Sequence, residues 1–300
     1  MGGRRRITDP KEITKPKLPQ PLVELVSIAE TNQRISVDKM FELVLEFASE
    51  RRKHHESIEE RERLIRAVYE NEFTEPERVH FLAKLYNRFA EKYDQHMGVD
   101  TGHYQAIERV LGYAKPYLNL PIIDLSAGTG EPMKLAIKTM GMKTGFRIES
   151  DLTYLIHLNE VSAKMLEIAE GKLGNKPRVG FSDYSALTMP DHLKGRFQSV
   201  LCSQTFHIIS DKDKPGLVDS MRELLVQGGH AVVIEEDPFR ITETPSIEAV
   251  TLFLRSVVAP IRPVMLIGMF ETNGFTKLED RAVAPIDDKH SMRVHIFQKN

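Results

Sequence analysis

The chain has 300 residues, of which 41% are hydrophobic and 28% charged; this is ample for one large α/β domain with an appendage or for two ordinary domains, and no apolar run reaches membrane-span length. A formal net charge of −2 argues against a strongly basic nucleic-acid surface. The single cysteine, Cys202, excludes an internal disulfide framework and a cysteine-built zinc site and points to a reducing cytoplasm.

In chain order, residues 1–20 carry the basic cluster Arg4-Arg5-Arg6 without apolar periodicity. They are expected to form a flexible tail, and no apolar stretch follows that would make them a secretory signal. Val37, Met40, Phe41, Val44, Leu45 and Ala48 recur at helical spacing, and Ser57 with Glu60 reads as a capping box for a helix carrying Leu64, Ile65 and Val68. Thr74 with Glu77 repeats that start signal. The helix it opens puts Leu82, Tyr86, Phe89 and Tyr93 on one face and is expected to reach about Met97, with Gly98 as its stop. Residues 21–98 are therefore expected to form a helical domain. Between Arg51 and Arg63 the charge is dense and reads as a solvated face; its neighbours His54 and His55 point about 100° apart on a helix and cannot share a metal from one side.

From about Leu120 short apolar runs alternate with amphipathic helical stretches, the pattern of a mostly parallel sheet covered by helices. Seven strands are expected, in PIIDL, YLIHLNE, RVGFSD, SVLCSQ, HAVVIEE, FTKLEDRAV and MRVHIFQ. Cys202 falls inside the fourth as a small buried thiol. The last two are separated only by the segment from Pro285 to Ser291, too short for a parallel crossover, so they form an antiparallel hairpin, preceded by a helix that stops at Gly274. Residues 99–300 are thus expected to be a Rossmann-like, doubly wound α/β domain.

In such a sheet the ligand sits beyond the carboxyl ends of the strands at the switch point, where Ile122 to Pro132, IIDLSAGTGEP, falls if PIIDL is central. Ser126, Ala127, Gly128, Thr129 and Gly130 leave the backbone open to close approach. The dinucleotide version of the loop fits poorly, because Met133 stands where its third small residue belongs. Asp124 before the loop is a poor neighbour for pyrophosphate and a good one for an ammonium group. A second acid is expected after the next strand to accept from a ribose diol. Glu149 and Glu160 compete, and Glu160 is preferred because an amphipathic helix, EVSAKMLEIAEGKL, begins there; the segment before Tyr154 is then an insertion.

The ordered set YNRFAEKYD, IIDLSAGTGEP, HLNEVSAKMLEIA, GFSDYSAL, FQSVLCSQTFHII, LLVQGGHAVVIEE and TNGF resembles the class I S-adenosylmethionine-dependent methyltransferases, in particular the ubiquinone/menaquinone-biosynthesis type of small-molecule methyltransferase, over roughly residues 85–300. The resemblance implies S-adenosyl-L-methionine as cofactor. It implies that Asp124, Ser126, Gly128 and Gly130 surround its methionyl part and that Glu160 holds the ribose. Asp183 would accept from the adenine amino group, with Val161, Met165 and Tyr184 walling the ring. Ser203 and Gln204 would lie beside the cofactor, and Tyr93 would close over it. The chain departs from the family pattern in Ser126, which replaces the first loop glycine, in Gln198, where an acid is common, and in the insertion.

His207, after the fourth strand, matches a histidine position of the family and is a candidate general base. Glu235, with Glu236 and Asp237 at the end of the fifth strand, is a candidate for orienting the acceptor; a metal is not expected there. The apolar stretch from Phe253 to Phe270 would form an acceptor wall, with Arg255 and Arg262 available to an acidic group. The expected function is methyl transfer to a small, partly apolar molecule rather than nucleic acid, and self-association through the helical domain is compatible with it. The alternatives are an inactive scaffold that keeps cofactor binding, with the helical domain serving a partner, and an enzyme that uses the same cofactor for non-methyl transfer.

Overall fold

The computed structural model describes residues 34–50, 58–141, 155–176, 178–237, 253, 255–257, 261–286 and 291–300. The basic tail, Ser57, His54, His55 and Glu149 lie outside the described residues. Three helices come first: α1 (Val37–Glu50), α2 (Ile58–Asn71) and α3 (Glu75–Gln95). At the start of α3 the Glu77 carboxylate accepts from both the Thr74 N–H, at 2.8 Å, and the Thr74 hydroxyl, at 2.7 Å. Those bonds hold its pKa at about 2. Gly98 does not end this helix. The chain widens into a π-turn, His96–Asp100, and breaks at Gly102, whose φ is +71°. Apolar faces of the three helices close over Met40, Val44, Ile65, Tyr69, Phe81 and Leu85, and the later residues Phe253 and Val257 complete that cluster.

α4 (His103–Ala114) leads into the sheet region, which runs β1 (Ile122–Asp124), α5 (Glu131–Met140), β2 (Ile156–Asn159), α6 (Ala163–Leu173), β3 (Val179–Ser182), β4 (Phe197–Ser203), α7 (Lys214–Leu224), β5 (Leu225–Asp237), α8 (Pro263–Thr272), β6 (Phe275–Pro285) and β7 (Ser291–Lys299). The seven strands are ordered 3-2-1-4-5-7-6. Strands 1 to 5 pair in parallel, and β7 runs antiparallel to both β5 and β6. The reversed strand therefore lies inside the sheet, between β5 and β6, with β6 at the edge. Successive residues feed opposite faces, as a pleated strand requires. Ile122, Val232 and Ile234 join one core, and Ile123, Ala231 and Val233 the other. Because order reverses between β1 and β4, the loops leaving β1, β2 and β4 open on one edge of the sheet.

Candidate active site

Asp124 ends β1, in register with Leu158 of β2 and Leu201 of β4. It is fully buried, and neither carboxylate oxygen has a hydrogen-bond partner. Burial pushes its pKa up to about 7; the Ser126 amide opposes the shift without closing a well-formed bond, and the charge of Glu160 adds to it. An acid left in that state lacks a donor, and a ligand ammonium is the donor that suits it. The Ser203 hydroxyl, at the end of the neighbouring β4, is likewise buried without a partner.

Glu160 follows β2 directly and is 8% exposed. Its oxygens accept from the Gly128 N–H at 2.9 Å and the Ser162 N–H at 2.8 Å. Lost hydration outweighs these bonds, so its pKa is still raised. A carboxylate has about four acceptor positions, so capacity remains for hydroxyls of a bound diol. Gly128, with φ +54°, threads between side chains: a Cβ there would lie 3.8 Å from Tyr93 Cε1 and 4.0 Å from Met165 Sδ. Gly130, with φ +77°, serves packing, since a Cβ would come within 3.0 Å of the Ala169 Cβ. Asn159 fixes the strand exits together. Its amide donates to the Leu125 and Tyr184 carbonyls at 3.1 and 2.9 Å, and its oxygen accepts from the Ser182 hydroxyl at 2.8 Å and the Tyr184 N–H at 3.1 Å.

Above these strand ends lies a cleft of about 790 Å³, counting its open mouth. Tyr93, Ser126, Gly128, Glu160, Val161, Met165, Ser203 and Gln204 line one side. Tyr69, Arg78, Leu82, Ala83, Tyr86, Leu187, Ile208, Ile209 and Asp213 line the other. Asp124 and Gly130 lie beneath the loop rather than on the cleft surface. Asp183 is exposed after β3, and Tyr184 is 38% exposed with its ring against His192.

The structure does not bring His207 and Glu235 to the cleft surface. β5 extends to Asp237, so Glu235 is one of its last three residues, as expected. Its Oε1 accepts from the Thr205 and Phe206 N–H groups, both at 2.8 Å, and its Oε2 lies 2.6 Å from His207 Nδ1. The turn after β4 has buried N–H groups that need an acceptor; Glu235 supplies it and draws His207 back against β5. Glu236 is paired with His103 at 3.1 Å and Asp237 with Arg293 at 2.8 Å. Among the described residues no group of three or more His, Cys, Asp or Glu is arranged to hold a metal ion.

The apolar wall also differs from expectation. None of the described residues between 253 and 270 lines the cleft. Phe253 packs on Tyr69 and Phe81 with ring centroids 5.2 and 4.7 Å away, and Leu266 and Phe270 are buried under the sheet. The wall comes from α3 instead, through Leu82, Ala83 and Tyr86. That helix is fastened at three levels. Arg78 donates to both Asp213 oxygens at 2.7 and 2.6 Å. The Asn87 oxygen accepts from the Ser162 hydroxyl and the Lys164 N–H, both at 2.9 Å, at the start of α6. Asp94 takes the Thr129 hydroxyl, the Tyr104 hydroxyl at 2.7 Å and the Lys172 ammonium at 2.6 Å. Sequence reasoning missed these fasteners, although Asn87 and Asp94 stand in YNRFAEKYD.

A glycine turn between two strand-end acids, at the switch point of a sheet ordered 3-2-1-4-5-7-6, defines a nucleoside-binding Rossmann-like fold. Residues 122–229 match a family model described as a methyltransferase domain. Among solved structures, the fold is similar to the (4+2)-cyclase SpnF, with a TM-score of 0.54 and 13% identity over 74% of this chain and 96% of that one. It is also similar to magnesium protoporphyrin IX methyltransferase from Synechocystis PCC 6803 with bound SAH, with a TM-score of 0.53 and 12% identity over 74% of this chain and 100% of that one. In sequence, 139 residues, 45% of the chain, are 25% identical to the polyketide synthase-like protein Preu9 of Preussia isomera; the match spans 6% of that relative's length. The matched domain and the donor set agree with S-adenosylmethionine as the cofactor. Among the described residues no helix is long and apolar enough to cross a membrane.

Proposed function

We propose that the chain transfers a methyl group from S-adenosylmethionine to a small, partly apolar molecule, in the reducing cytoplasm. The observation that carries this reading is a buried, partnerless Asp124 beside a Glu160 already bonded to the Gly128 amide, under a cleft roofed by aromatic residues. When bound, S-adenosylmethionine supplies a methyl group on a positively charged sulfonium. In this reading Asp124 holds the ammonium, Glu160 the ribose hydroxyls, and Val161 and Met165 wall the base. Ser126, Gly128 and Gly130 shape the loop, and Ser203, Gln204 and Tyr93 close the site. Asp183 and Tyr184 remain as rim contacts to the adenine, while His207 and Glu235 serve as braces of the turn after β4. The described helices of the 21–98 region act as a roof over the cleft through Tyr69 and α3, so the protein's work is to align the acceptor and exclude water. The resemblance to the ubiquinone/menaquinone-biosynthesis type supports a small-molecule acceptor.

The test is calorimetry with S-adenosylmethionine and S-adenosylhomocysteine, followed by incubation of methyl-labelled cofactor with a metabolite extract. Heat on binding and label in a small-molecule product are expected. No heat for either compound refutes the reading. The similarity to SpnF, named a (4+2) cyclase, favours a second reading in which the cofactor is bound and no methyl is transferred. A product formed without label would establish it.

A further inference from the structure

We infer that the acceptor is a neutral, mostly apolar molecule whose one hydrogen-bond-accepting oxygen meets the Tyr69 hydroxyl at the far side of the cleft; this deepens the methyl-transfer reading and rests on it.

Tyr69 is 1% exposed, and its ring is held edge-on by Phe73, Phe81 and Phe253 at centroid distances of 6.1, 6.0 and 5.2 Å. The residue also lines the cleft, and its hydroxyl is buried without a partner. The charges of Arg78 and Asp213, both of the cleft lining, act on the phenol, which sets the hydroxyl toward that side. Phenylalanine would fill the same core without stranding a polar group, and a buried hydroxyl without a partner is destabilising. Burial raises the phenol's pKa, so the group stays protonated and acts as a donor. Its missing partner is therefore an acceptor atom.

The rest of that side says what surrounds the atom. Arg78 and Asp213 are its charged residues among the described lining, and they satisfy each other: both Asp213 oxygens are taken, and the remaining Arg78 nitrogen donates to the Phe73 carbonyl. The Ser210 hydroxyl donates to Glu70, and the Thr205 hydroxyl donates to the Ser203 carbonyl. The other surfaces are mostly apolar, led by Leu82, Ala83, Leu187, Ile208 and Ile209, with the Tyr86 and Ser185 hydroxyls among them. An ionic ligand would meet no unmatched charge there, and a wholly apolar one would leave the phenol stranded.

The experiment uses the full chain saturated with S-adenosylhomocysteine and a shape-matched pair of probes, 2-acetylnaphthalene and 2-isopropenylnaphthalene, in which the carbonyl oxygen is replaced by a methylene. Affinities are measured for the wild type and Tyr69→Phe. The wild type is expected to prefer the ketone about tenfold, and Tyr69→Phe to bind the two alike, with S-adenosylhomocysteine affinity unchanged. Equal binding of the pair by the wild type, a preference that survives Tyr69→Phe, binding of neither probe, or tighter binding of 2-naphthoate than of the ketone overturns the inference. Failure of the wild type to bind S-adenosylhomocysteine is a different result and refutes the methyl-transfer reading beneath it.

Discussion

Replacing Asp124 by Asn should stabilise the ligand-free protein, and increasingly so as the pH rises. The carboxyl ionises near 3.8 in an unfolded chain and near 7 in the folded one. The unfolded chain thus releases its proton first, so this group's destabilisation is absent below about pH 4, grows through the interval and is complete above about pH 7. A gap of about three pH units corresponds to about 4 kcal/mol at 1.36 kcal/mol per unit, of which more than half accumulates between pH 5 and pH 8. Asparagine removes the titration while leaving a polar group in place, a change independent of pH. Urea unfolding of both proteins at pH 5 and pH 8 isolates the effect: the variant's advantage should widen by roughly 2–3 kcal/mol. Adding S-adenosylhomocysteine should narrow that advantage, because the variant loses a charge-assisted bond worth about 1.5–3 kcal/mol. A stability difference that stays constant between the two pH values would refute the account of Asp124 as a buried, unsatisfied acid.

Other substitutions test the neighbours. Glu160→Gln puts an amide NH₂ against N–H donors and should weaken S-adenosylhomocysteine binding about tenfold or more in a folded protein, read by calorimetry. Arg78→Met leaves Asp213 buried without its partner and should cost about 3–5 kcal/mol in urea unfolding; Arg78→Met with Asp213→Leu should recover much of that. His207→Asn keeps a donor toward Glu235 but abolishes any base, so the pH profile of turnover should keep its shape, and loss of its acidic limb would return His207 to the chemistry.

The sheet was legible because strand signals are local. Apolar runs bounded by turn residues marked all seven strands, and the short link at Pro285 to Ser291 fixed the hairpin. What periodicity could not reveal was where each acid's hydrogen bonds go. Asp124 in IIDLS and Glu235 in VVIEED look alike as carboxylates on apolar strands, yet one has no donor and the other has three. The difference lies in which turn folds back onto which strand, a contact between segments far apart in the chain. The same holds for the acceptor wall. Phe253 to Phe270 is the more apolar stretch, but its buried described residues Phe253, Val257, Leu266 and Phe270 go into cores, while the half-buried face of α3 is left to the cleft. Gly98 failed as a helix stop because a widened turn carried the chain on to Gly102, where a left-handed residue was needed.

One helix therefore relates the two halves of the cleft. Tyr93 stands over the glycine loop, Tyr86 and Leu82 over the middle, and Arg78 at the far side, and from Arg78 to Asp94 the helix spans roughly 24 Å at its regular rise. Each fastening joins it to a different segment: Asp213 after β4, Ser162 after β2, and Thr129 after β1. Those are the segments that leave the strands at the switch point. Any shift of α3 must then move the floor loops with it, so the spacing between the cofactor side and the Tyr69 side is held by a rigid element rather than by loop conformations. Because reaction by alignment tolerates little displacement of the reacting atoms, acceptor range should change through cleft-facing side chains of α3 such as Leu82 and Ala83, while loosening a fastener should lower turnover for every acceptor alike.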